Sequence, residues 1–147
     1  MRTFLQVFFS VALSFSAIFA NDFRDIYQIT LKKDEQKKIL VKYAQKEKLF
    51  KFRWTLYKNG GLVLFRSYDK IVAQNILYLR HKNQSFRMEL KPRGADFYNV
   101  PYLLVKFKKF DYEKKEATFE MFLYDKKSQI TLESLNSLLI KRDDAES

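Results

Sequence analysis

Alternation of apolar and polar residues with a period of two governs most of this chain. In Phe50-Lys51-Phe52-Arg53-Trp54-Thr55-Leu56-Tyr57, one face carries Phe50, Phe52, Trp54 and Leu56, and the other carries Lys51, Arg53, Thr55 and Tyr57. Such a segment is a strand with one buried face. Lys58-Asn59-Gly60-Gly61 follows. Asn-Gly is a strong two-residue hairpin signal, because both residues tolerate positive φ. Residues 62–68 are then the partner strand. An Asn59-Gly60 loop sets Leu56 opposite Val63 and Trp54 opposite Phe65, which puts Val63 and Phe65 on the inner face with Trp54.

The same pattern recurs. Residues 75–80 and 85–90 flank His81-Lys82-Asn83-Gln84, so a hairpin is expected that pairs Leu79 with Phe86 and Leu77 with Met88. Residues 102–110 and 116–124 surround a charged turn. Pairing Phe107 with Phe119 and Val105 with Met121 gives one inner face of Leu103, Val105, Phe107, Phe119, Met121 and Leu123. Lys106 then faces Glu120 on the outer side, a cross-strand pair worth well under about 1 kcal/mol. Residues 26–31 predict a first strand. Residues 34–48 carry both helical and alternating spacings, and the alternation of Ile39, Val41 and Tyr43 predicts a strand at 39–43. Ile130 and Leu132 suit a last strand, and Leu135, Leu138 and Leu139 a short helix.

Short strands separated by turns at near-regular spacing predict an all-β fold, an antiparallel immunoglobulin-like β-sandwich, with a small β-barrel as the alternative. No Cys…Trp…Cys pattern is present, which excludes an antibody-type domain. The expected organisation is a signal peptide at 1–20, one sandwich domain at 21–140 and a disordered tail at 141–147.

The N-terminus reads MRTFLQVFFSVALSFSAIFA. Arg2 supplies a basic start, an apolar stretch follows, and Ala20 precedes the abrupt return of polarity at Asn21-Asp22. This is the pattern of a cleaved secretory signal helix. A membrane span needs about 20 apolar residues, and this stretch is shorter and broken by Ser10, Ser14 and Ser16. The expected location is the periplasm or the exterior, with no transmembrane segment after cleavage. Cysteine is absent from the 147 residues, so the secreted domain relies on its core rather than on disulfides.

The strings RWTLYKN, LVLFRSYD, QNILY and VPYLLVKF resemble a group of small exported proteins of Gram-negative epsilon-type bacteria, over residues 50–124. The resemblance implies a periplasmic, β-rich protein and carries no activity.

The chemistry that the composition permits is narrow. Without cysteine there is no thiolate nucleophile or thiolate metal site, and with His81 as the single histidine there is no two-histidine zinc site. A Ser–His–Asp set would have to use His81, which falls in a turn with no orienting carboxylate near it in sequence. Glu89, Asp96 and Asp111 are not spaced as an acid–base pair. Three glycines form no phosphate-binding loop. No catalytic residue, metal or cofactor is therefore assigned, and the chain is read as a non-enzyme.

Lys and Arg number 28 against 17 Asp and Glu, a formal charge of +11. That balance suits solvation and also suits anionic surfaces. Export argues against nucleic acid. One segment departs from the scaffold pattern: Lys91-Pro92-Arg93-Gly94-Ala95-Asp96-Phe97-Tyr98-Asn99-Val100-Pro101. It mixes charge with aromatics between two prolines, so Arg93, Asp96, Phe97, Tyr98 and Asn99 are the candidate partner-binding residues. The other reading of this loop is a crossover between sheets, with Phe97 or Tyr98 tucked over the core end. Tyr57, Tyr68, Tyr78 and Tyr102 are a candidate aromatic patch. The function expected is an exported binding or structural module that contacts an envelope protein or an anionic envelope surface. The alternative is a periplasmic carrier of a hydrophobic ligand, which would require an apolar cavity.

Overall fold

The computed structural model describes residues 23–94, 99–136 and the backbone of 140–141. The signal segment 1–20, the tail 142–147 and Leu138 and Leu139 lie outside the described residues. Among the described residues ten strands follow one another: β1 Asp25–Lys32, β2 Lys37–Tyr43, β3 Lys46–Lys58, β4 Gly61–Tyr68, β5 Ile71–Tyr78, β6 Ser85–Glu89, β7 Tyr102–Asp111, β8 Glu116–Tyr124, β9 Thr131–Ser134 and β10 Ile140–Lys141. They form two antiparallel five-stranded sheets, ordered β10-β1-β8-β7-β6 and β5-β4-β3-β2-β9. The fold is a β-sandwich, as the strand spacing predicts. An immunoglobulin domain passes between sheets through Greek-key connections; here the meander β2–β5 stays within one sheet.

Three two-residue turns build that meander. Tyr43 pairs with Lys46, Lys58 with Gly61 and Tyr68 with Ile71. The central residues are Ala44-Gln45, Asn59-Gly60 and Asp69-Lys70, all with positive φ. Positive φ at both positions gives the type I′ twist that suits a hairpin. Asn59-Gly60 carries the expected chemistry; of the other two turns only Asp69 is a residue that favours the left-handed region, while Lys70, Ala44 and Gln45 are ordinary residues placed there.

The Asp69-Lys70 turn overturns one expected pairing. β5 begins at Ile71 and pairs with β4, while β6 pairs with β7. Residues 75–80 and 85–90 therefore form no hairpin, and Leu77 and Leu79 do not oppose Met88 and Phe86. The segment through His81 crosses between the sheets instead. Alternation alone made both partners apolar in either arrangement.

A second correction lies in β3. Its register with β4 slips between Trp54 and Leu56, a bulge at Thr55 that reverses the faces beyond it. Leu56 still pairs with Val63, but Trp54 pairs with Leu64 and Arg53 with Phe65. Leu62 and Leu64 are buried, Val63 and Phe65 are half-buried on the outer side, and Leu56 is exposed. A bulge in β7 between Phe107 and Lys109 turns Phe110 toward the core. Trp54 meets Phe110 edge-on at 5.4 Å, and Tyr57 stacks on it at 4.1 Å.

The β7–β8 pair has the predicted register, Phe107 opposite Phe119 and Val105 opposite Met121. All six predicted inner residues are buried. Lys106 does face Glu120, but the Glu120 carboxylate accepts from Lys108 Nζ at 2.8 Å. Phe50, Phe52, Ile39 and Val41 from the other sheet complete the core, with Phe52 edge-on to Phe119 at 5.6 Å. β1 and β2 are the strands expected. Leu135 is exposed and donates its amide to the Lys38 carbonyl at 3.0 Å, which continues the β9 edge rather than starting a helix. Lys141, placed in the expected tail, pairs with Tyr27 in β10.

Candidate functional site

β5 and β6 are the last strands of their sheets, and the sandwich opens between them. Apolar closure fails there because the inward row of β4, Leu62, Leu64, Arg66 and Tyr68, is interrupted by a cation. Arg66 lies half-buried, its guanidinium 4.6 Å from the centre of the Phe86 ring on β6. Its Nε donates to Asn75 Oδ1 at 2.8 Å. Burial pulls its pKa down, yet a guanidinium stays charged at neutral pH. Stacking on an aromatic face and one fixed hydrogen bond together hold its remaining donors in place.

Two further arginines join it. Arg87 on β6 lies 3.8 Å from the centre of the Tyr102 ring. Arg93, beyond β6, folds back on Glu89. Its Nη2 lies 2.5 Å from Glu89 Oε1, and its Nε donates to both carboxylate oxygens at 3.0 and 3.1 Å. That hydrogen bonding holds the Glu89 carboxyl below its ordinary pKa. The result is a groove of about 570 Å³ lined by Arg66, Tyr68, Ile71, Arg87, Met88, Glu89 and Arg93. Among the described residues its lining holds three arginines and one carboxylate, Glu89. The Tyr68 hydroxyl is engaged with the Leu90 carbonyl, and burial raises its pKa, so it braces the groove wall. The arrangement can receive an anionic group by charge-assisted hydrogen bonds.

The predicted site residues divide. Arg93 lines the groove. Asp96, Phe97 and Tyr98 lie outside the described residues. Asn99 is half-buried beside Val100 and Pro101, which are buried. The Leu90 amide donates to the Pro101 carbonyl at 2.9 Å, and the buried base of the loop closes the core end; the loop is no crossover between sheets, because it joins β6 to its neighbour β7 within one sheet. Arg66 and Arg87 were missed. Arg66 shares parity with Leu62 and Leu64, and placing Val63 and Phe65 inward turned it to the outside.

The four tyrosines do not form one patch. Tyr57 packs on Phe107, Phe110 and Tyr112, and Tyr68 is buried. Tyr78 lies beside His81, and Tyr102 stacks on Tyr124. His81 accepts from the Asn83 amide through Nδ1 at 3.1 Å and does not line the groove.

Fold and groove together define a small antiparallel β-sandwich with an arginine-lined cleft between two of its edge strands, β5 and β6. No protein-family model matches the chain, and comparison with curated proteins and with solved structures finds no match.

Proposed function

We propose that the chain is an exported, non-enzymatic binding module of the bacterial envelope that holds an anionic group of its partner in the arginine groove. The observation that carries this reading is the convergence of Arg66, Arg87 and Arg93 on one cleft whose described lining holds Glu89 as its single carboxylate. The signal-like N-terminus supports export. A hydrophobic-ligand carrier is less well supported, because inward side chains such as Phe50, Phe52, Phe107 and Phe119 fill the space between the sheets with zero exposure.

Capture of partner from envelope extract by wild type and by Arg87→Ala/Arg93→Ala tests the groove. The double variant is expected to lose about tenfold or more in affinity, the usual weight of charged contacts in a recognition site. A control that removes two exposed lysines away from the groove, Lys46→Ala/Lys114→Ala, is expected to change capture only slightly. Equal losses in the two variants would reduce the interaction to diffuse charge. Export has its own test: intact mass of exported material is expected to show loss of residues 1–20. Retention of that segment in a membrane fraction would overturn it.

A further inference from the structure

The groove has a neighbour that completes it. β5 reads IVAQNILY, with neither charge nor proline, the usual devices that protect an edge strand from pairing. It nevertheless ends its sheet, and it exposes Ile71 at 69 %, Val72 at 76 % and Ile76 at 46 %. Its register fixes which backbone groups are open. Tyr68 and Ile71 close a two-residue turn, so they form a hydrogen-bonded pair, and the pairs then alternate along the strand. Ile71, Ala73, Asn75 and Leu77 bond to β4. Val72, Gln74 and Ile76 direct their N–H and C=O groups outward. Tyr78 does the same, and its amide is taken by the Asn83 carbonyl at 3.1 Å, which ends the open stretch.

The two faces beside that edge differ. On the inner side Ile71 adjoins the arginine groove. On the outer side Val72 lies near Phe65, and Leu56, Val63 and Ile76 form one cross-strand row. A strand added to β5 would send alternate side chains to these two faces. Resting on the groove as the anion-binding surface, we infer that β5 receives an extended segment of an acidic partner protein as an added strand. Its carboxylates reach the arginines, and its alternate apolar residues cover the outer row. Charge selects this occupant. A second copy would bring another strongly basic chain with its own basic groove to the same edge, whereas Lys51 and Arg53 beside Val72 add to the attraction for acid. Strand addition of this type draws affinity from the main chain and specificity from alternate side chains.

The test uses a blocked peptide alternating Glu with Val, a composition-matched peptide with its glutamates and valines in separate blocks, and the two alternately N-methylated forms of the first. The alternating peptide is expected to bind at least about tenfold more tightly than the blocked-order peptide. Methylating one alternate set of amides is expected to abolish binding, and methylating the other to leave it. Gln74→Pro, which removes an outward amide at an edge where proline is tolerated, is expected to weaken the alternating peptide alone. Equal binding of both peptides, still lost in Arg87→Ala/Arg93→Ala, would overturn strand addition and leave the groove standing. Binding of neither peptide would overturn it too, and the groove reading falls as well if capture from envelope extract also survives the arginine changes. Concentration-dependent dimers that protect β5 amides from exchange, or binding to phosphatidylglycerol vesicles without peptide binding, would assign the edge to another occupant and overturn the inference.

Discussion

Replacing Trp54 by alanine is expected to lower the free energy of unfolding by about 3–5 kcal/mol, the range for emptying a buried large aromatic site. Trp54 is 3 % exposed and meets Phe110 edge-on across the core. It also joins the two sheets directly, since its Nε1 donates to the Leu31 carbonyl of β1 at 2.8 Å. Alanine removes the ring, opens a cavity at the bulged ends of β3 and β7, and leaves that carbonyl without its donor. Trp54→Phe separates these effects: most of the apolar volume stays, and the unpaired carbonyl alone should cost about 1–3 kcal/mol. Denaturant unfolding at constant m reads both values. A loss below about 1 kcal/mol for the alanine variant would place the ring outside the core.

Asp125→Ala is expected to cost about 2–3 kcal/mol and to loosen the return of the chain from β8 to β9. The Asp125 carboxylate is buried. Its Oδ2 accepts from Arg24 Nη1 at 2.9 Å and from the Ile130 amide at 2.8 Å, and its Oδ1 accepts from the Gln129 amide at 3.0 Å. Arg24 Nη1 donates in turn to the Ile130 carbonyl at 2.7 Å. One side chain therefore pins the entry of β1 to the connection that carries the chain back to the other sheet. Removing it strands two amides and leaves the Arg24 guanidinium with only the Ile130 carbonyl and Asp25. The cost stays below that of breaking a fully buried pair, because the Arg24 side chain is 39 % exposed and water can replace part of what is lost. Amide exchange at Thr131 and Leu132 is the sharper readout, and unchanged protection there would show that β9 is held by its pairing with β2 alone.

The strands themselves were legible residue by residue. Leu103, Val105 and Phe107, and Phe119, Met121 and Leu123, alternate without interruption, so only one register buries both rows, and β7–β8 has that register. Asn59-Gly60 marked its hairpin because the turn needs positive φ that those two residues tolerate. Asp69-Lys70 and Ala44-Gln45 make the same turn without the signature. Asp69 tolerates the left-handed region, but Lys70, Ala44 and Gln45 carry no such preference, and the sheet enforces their backbone. The groove was legible only through Arg93. Nothing near Arg66 in the chain distinguishes it from an outward cation, and nothing near Arg87 links it to β4.

Alternation is a property of a single segment, since it states which residues share a face and therefore that the chain makes strands with an apolar side. Which strand lies beside which is decided by burial summed over the whole molecule. Leu77 is equally apolar opposite Met88 or opposite Leu62, and only the packed sandwich chose Leu62. The bulge at Thr55 is of the same kind: one extra residue reverses every face beyond it, and Tyr57 and Phe110 then pack on each other against the core. The arginine groove follows from both decisions, because placing β5 and β6 at adjoining edges of different sheets brings Arg66, Arg87 and Arg93 to one cleft.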